Sequence, residues 1–138
     1  MRASGAEFDR FVTSHLEPLA KLNGASLFRE EGPLLEAAEF RSGNLTVRFE
    51  NDRGALQLFI SPAHAQRYWA IDAVACLFER VRLLSEGNQR LTLEEQFQLL
   101  RDHWAELQSG FLTTNYANTA QLLVQGFNVM PKGSADDC

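Results

Sequence analysis

The apolar positions of this chain change period twice. From Ser4 to Leu22, the residues Phe8, Phe11, Val12, His15, Leu16 and Leu19 recur at steps of three and four, the spacing of one helix face. The pattern predicts a first helix, kinked or split at Pro18 because proline cannot donate to the ladder, and ended by Asn23-Gly24. Residues 25–33 carry no single period, and Glu31-Gly32-Pro33 reads as a turn. Strand spacing then takes over. Leu45, Val47 and Phe49 alternate with Thr46, Arg48 and Glu50, and Leu56, Leu58 and Ile60 alternate with Gln57 and Phe59. Asn51-Asp52-Arg53-Gly54 reads as a four-residue hairpin connection. A further strand over Glu36–Arg41, closed by Ser42-Gly43-Asn44, completes a three-stranded antiparallel meander. Its inner face would carry Leu45, Val47, Phe49, Leu56, Leu58 and Ile60, and its outer face Glu39, Arg41, Arg48, Glu50, Gln57 and Phe59.

Past Ser61-Pro62 the helical period returns. A helix is predicted over Trp69–Leu84 with Ile71, Val74, Ala75, Phe78 and Val81 inward, ended by Ser85-Glu86-Gly87-Asn88. Thr92-Leu93-Glu94-Glu95 is a capping box, in which the threonine hydroxyl and the glutamate carboxylate satisfy two otherwise unpaired N–H groups. The helix it opens carries Phe97, Leu100, Trp104, Leu107 and Phe111 inward, with Gly110 as a stop or kink. A last helix runs over Asn115–Gln125 with Tyr116, Ala120, Leu123 and Val124 inward and Gly126 as its cap. The expected fold is α+β: an N-terminal helix, the meander, then three helices packed on the sheet. Residues 1–130 form a single domain in this reading, and 131–138 (PKGSADDC) a disordered tail with too little apolar surface to offset ordering entropy.

Composition narrows the function classes. The 138 residues are 45% hydrophobic and 22% charged, which suits a folded domain. The longest apolar run, Ala73–Phe78, falls far short of the roughly 20 residues of a membrane helix. The opening MRASGAEFDR lacks the apolar core of a secretory signal, and Cys76 and Cys138 are too few for a disulfide framework, so a cytoplasmic location is expected. A net charge of −5 argues against direct binding to nucleic acid. The chain has no phosphate-cradling glycine loop, nucleophile elbow or paired-histidine zinc motif, so neither cofactor, metal nor catalytic residues are expected. His15, His64 and His103 are far apart, and Cys76 sits within the apolar run as a small core residue.

Two surfaces remain as candidates. Residues 91–110 hold four acids against one base, and Glu95, Gln98, Asp102 and Glu106 fall on one side of the helix at steps of three and four. Such a face is either solvated or docks a basic partner by electrostatic steering. The second is the outer sheet face, where Phe59 and Arg48 form the aromatic–arginine pairing favoured at binding hot spots, unless the first helix covers it. The segment Leu45–Ile60, LTVRFENDRGALQLFI, with Tyr68-Trp69-Ala70-Ile71-Asp72 opening a helix and LTLEEQFQLLRDHW after it, resembles small bacterial α+β proteins of the immunity type. The resemblance implies neutralisation of a toxin by binding it. The expectation is therefore a non-enzymatic inhibitor whose acidic surface meets a basic, nucleic-acid-acting protein. The alternatives are a small enzyme or ligand-binding domain with a site near His64, Tyr68, Trp69 and Asp72, and a subunit of a larger assembly.

Overall fold

The computed structural model describes residues 5–78, 91–127 and 132–133. Its first helical stretch is α1 (Gly5–Phe11), a π-helical turn (Val12–Leu16) and α2 (Glu17–Leu22). Glu17 N–H donates to Val12 O, five residues back, so the widened turn sits immediately ahead of Pro18. That places the proline in the first turn of α2. Phe8, Phe11, Val12, Leu16, Leu19 and Ala20 are buried, as the periodicity requires.

The sheet is larger than the expected three strands. Strands β1 (Phe28–Glu31), β2 (Leu35–Ser42), β3 (Leu45–Asp52), β4 (Ala55–Pro62), β5 (Arg67–Ala70) and the two-residue β6 (Lys132–Gly133) follow one another in spatial order, every neighbour antiparallel. The meander of β2, β3 and β4 is the predicted one, and β1 and β5 are the additions. All four β1 residues are exposed, so no burial alternation marks it, and only its pairing to β2 defines it. Strand β5 has just four residues before the chain becomes α3 (Ile71–Phe78), which is why Trp69 and Ala70 read as the start of a helix. Residues Lys132 and Gly133 of the expected tail pair with Tyr68 and Arg67. The β3–β4 connection is tighter than the expected four residues. Asp52 already pairs with Ala55, leaving Arg53 (φ 54) and Gly54 (φ 95), both left-handed as in a type I′ hairpin.

One face of the sheet carries the core. Leu45, Val47, Phe49, Leu58 and Ile60 are fully buried there, whereas Leu56, beyond the end of β5, is half-buried. Phe8 stacks on Phe49 at 5.3 Å, and Phe97 meets the same ring edge-on at 5.4 Å, so α1 and α4 (Leu93–Asp102) lie on this face. The predicted capping box opens α4. The helix expected to run on to Phe111 breaks at His103 (φ −114, ψ 24) into α4 and α5 (Trp104–Gly110), and Trp104 stacks on Phe40. The last helix, α6 (Tyr116–Phe127), continues through Gly126 rather than stopping there, with Tyr116 and Leu123 buried. Val81 and the turn expected at 85–88 lie outside the described residues.

Two glutamines fasten the helices to the sheet. Strand β5 leaves β4 after Phe59 pairs with Ala70, so the β4 edge at Leu58 has no strand partner. Gln96 of α4, 4% exposed, accepts there from Leu58 N–H at 3.1 Å and donates to Leu91 O at 3.1 Å. Gln108 of α5 grips the β2–β3 turn: it accepts from Asn44 N–H at 2.7 Å and donates to Ser42 O at 2.8 Å.

Candidate functional site

The outer sheet face is built around Arg48. Strand register puts Glu39 of β2, Arg48 and Glu50 of β3, Gln57 and Phe59 of β4, and Glu30 and Phe28 of β1 on the face opposite the core. Arg48 Nε donates to Glu50 at 2.7 Å, Nη1 to Glu39 at 3.0 Å and Nη2 to Glu30 at 3.1 Å. The Tyr68 hydroxyl from β5 donates to Glu39 at 3.2 Å, and the guanidinium lies 5.9 Å over the Tyr68 ring. The Arg48 side chain is 15% exposed and that of Glu50 5%. Burial works against the Arg48 charge, but bonds to Glu50, Glu39 and Glu30 outweigh it and raise its pKa. Burial, then the charge of Glu39 and the bond to it, push the Tyr68 hydroxyl up to about 12. Three carboxylates thus surround the one guanidinium of Arg48.

The open end of β4 shapes the adjoining surface. A groove of about 270 Å³ lies there, lined by Glu50, Asp52, Ala55, Leu56, Gln57, Phe59 and Ala70. Phe59 is half-buried, and α1 does not cover it, because α1 packs on Phe49 on the other face. Phe28 is 64% exposed on the same face, and Leu34 is 49% exposed where its carbonyl accepts from Arg53 N–H beside Asp52.

The acidic helix face is divided. Glu95, Gln98 and Asp102 line a shallow cleft of about 140 Å³ with Leu91 and Leu99, while the break at His103 carries Glu106 onto α5. Each of the four has an internal partner. Glu95 accepts from Thr92 N–H at 2.8 Å, Gln98 donates to Asp102 at 2.6 Å, and Glu106 lies 2.6 Å from His103 Nδ1. The bond from Gln98 joins the acidic step at Asp102 to its helix face, and Arg101 donates to Gln98 at 3.2 Å.

Of the alternative site's residues, His64 and Trp69 meet on Tyr116, and Tyr68 faces the other way. Tyr68 faces outward to Glu39, whereas Trp69 faces the core and donates to the Tyr116 hydroxyl at 2.8 Å. His64 is exposed, with its ring edge-on to Tyr116 at 5.6 Å, and Asp72 is buried in the first turn of α3. His15 stacks on Phe97 at 4.9 Å, and burial, then the charge of Arg101, lower its pKa. Among the described residues no group of three or more His, Cys, Asp or Glu side chains is placed to hold a metal ion, and no helix is long and apolar enough to cross a membrane. The outer-face roles of Glu39 and Glu50 follow from alternation alone. Glu30 and Asp52 escaped sequence reasoning, and Tyr68 was assigned to the alternative site rather than to this face, because β1 and β5 carry no strand signal of their own. No family model matches the chain, and neither a curated protein nor a solved structure matches it.

Proposed function

We propose that this chain is a non-enzymatic, cytoplasmic binding protein that takes a basic protein partner on the outer face of its sheet, with immunity-type inhibition of a nucleic-acid-acting toxin as the concrete form. The observation that carries it is the Arg48 cluster. Its guanidinium is committed to Glu50, Glu39 and Glu30, which fixes a negative, pre-ordered surface next to the half-buried Phe59. Pre-ordered polar groups lose little entropy on association, and an aromatic anchor with charged neighbours is the composition of binding hot spots. A protein that acts on nucleic acid presents a basic surface, to which such a face is complementary.

The test is capture of the partner on immobilised chain, its identification, and reconstitution from purified components. A basic partner that binds wild type and loses affinity with the charge-reversed Glu30→Lys/Asp52→Lys chain supports the reading. An acidic partner, or one indifferent to both substitutions, sinks it. A partner that responds instead to changes at Glu95, Gln98 and Asp102 moves the interface to the α4 cleft.

A further inference from the structure

We infer that Asn23 is a site of spontaneous covalent modification, at which the Gly24 nitrogen expels the side-chain amide at a rate set by opening of the last turn of α2. Asparagine is a thermally labile residue, and Asn23-Gly24 is the one Asn-Gly step in the chain. Glycine carries no Cβ to hinder its own nitrogen as it turns onto the preceding side chain. The other asparagines are followed by Leu45, Asp52, Gln89, Tyr116, Thr119 and Val129, whose side chains crowd that approach.

The reaction needs only the chain and water. The Gly24 nitrogen bonds to Asn23 Cγ and the Cγ–Nδ2 bond breaks. Nδ2 keeps the electron pair of that bond, takes up the Gly24 proton and leaves as ammonia. Water then opens the succinimide ring at either carbonyl. One opening gives aspartate. The other gives isoaspartate, whose main chain runs through Cβ and Cγ.

The folded chain restrains both reacting groups. Helix α2 ends in a Schellman motif, with Gly24 left-handed at φ 66. Gly24 N–H donates to Lys21 O at 3.0 Å, and Ala25 N–H donates to Ala20 O at 2.8 Å. Asn23 Nδ2 donates to Leu19 O at 2.9 Å. Ring closure gives up the bonds from Gly24 and Asn23, so the closed cap is unreactive and the opened cap reacts. Opening costs little here. Helix α2 has six residues, and Lys21, Leu22 and Gly24 at its end are exposed, Leu22 at 82%. The last turn can unwind while Leu19 and Ala20 stay in the core.

The products keep the turn open. Either one removes the donor to Leu19 O and sets a carboxylate at the negative end of the helix dipole. Isoaspartate also adds a backbone atom ahead of Gly24, so Gly24 and Ala25 lose their register on Lys21 O and Ala20 O.

The test is a timed incubation of the full chain at mildly alkaline pH, read by tryptic peptide mapping. Cleavage after Lys21 and Arg29 isolates residues 22–29, LNGASLFR, with a single asparagine. Its aspartyl and isoaspartyl forms are expected to accumulate ahead of those of every other asparagine peptide. Leu22→Gly weakens the last turn at an exposed position and should speed the reaction about two- to fivefold. Isolated isoaspartyl chain should lose amide-exchange protection at Gly24 and Ala25. No conversion at Asn23, or conversion led by another asparagine, overturns the site. Equal rates in wild type and Leu22→Gly overturn control by the α2 cap, as does unchanged protection in the isoaspartyl chain.

Discussion

Gly43 and Tyr68 show how much hangs on single positions. Gly43 sits at φ 60, and a Cβ built on it would lie 2.4 Å from Gln108 Oε1. Gln108 cannot step aside without giving up its bonds to Asn44 and Ser42. Gly43→Ala is therefore expected to cost about 1–3 kcal/mol, from left-handed strain and the loss of that clamp, read by chemical denaturation. Tyr68 makes a pH prediction. Its folded pKa of about 12 lies above the ordinary 10.0. The unfolded chain therefore loses this proton first as pH rises. The stabilisation is complete below pH 10 and is lost between there and 12. An ultraviolet titration of tyrosinate should lose a late component in Tyr68→Phe, whose stability should fall less steeply over that window. Loss of a component near pH 10 instead would mean that burial and Glu39 do not hold the Tyr68 proton.

At the level of elements, the β4 edge distinguishes two kinds of stabilisation. Leu58 is fully buried on the core face, and Leu58→Ala should destabilise by about 2–5 kcal/mol through lost transfer energy and a cavity. Gln96 acts instead by satisfying backbone. Gln96→Leu has a similar shape but abandons Leu58 N–H and Leu91 O, and should cost about 1–3 kcal/mol. Amide exchange separates the two. Gln96→Leu should speed exchange at Leu58 selectively, while Leu58→Ala should lower protection across the core strands together. The inner faces of β3 and β4 were legible because alternation over eight residues leaves one register that buries Leu45, Val47, Phe49, Leu58 and Ile60. Strand β1 was not, since Phe-Arg-Glu-Glu has no buried position to mark.

For the whole molecule, charge placement makes a kinetic prediction. The chain carries a net charge of −5. Steering by exposed charge acts on the association rate and weakens with salt. Because α4, with Glu95 and Asp102, and α5, with Glu106, pack on the core side of the sheet, Glu95→Gln/Asp102→Asn/Glu106→Gln should slow association with a basic partner less than Glu30→Lys/Asp52→Lys does at low ionic strength. Stopped-flow association at two salt concentrations checks this. A larger effect from the α4 triple change would place the interface there.

The chain by itself determined the class of fold, the first helix, three consecutive strands and their inward faces, and the capping box of α4, because each is written in local periodicity or in residues three apart. It also placed Glu39, Arg48, Glu50 and Phe59 on one sheet face. Tertiary structure decided the rest. It supplied Glu30 through β1 and Tyr68 through β5, strands that exist only by pairing with longer neighbours. It put Glu106 on a separate helix from Glu95 by breaking the helix at His103. It also opened the groove beside Phe59, since the point where β5 leaves β4 depends on how α3 packs into the core, a long-range balance that no local pattern records.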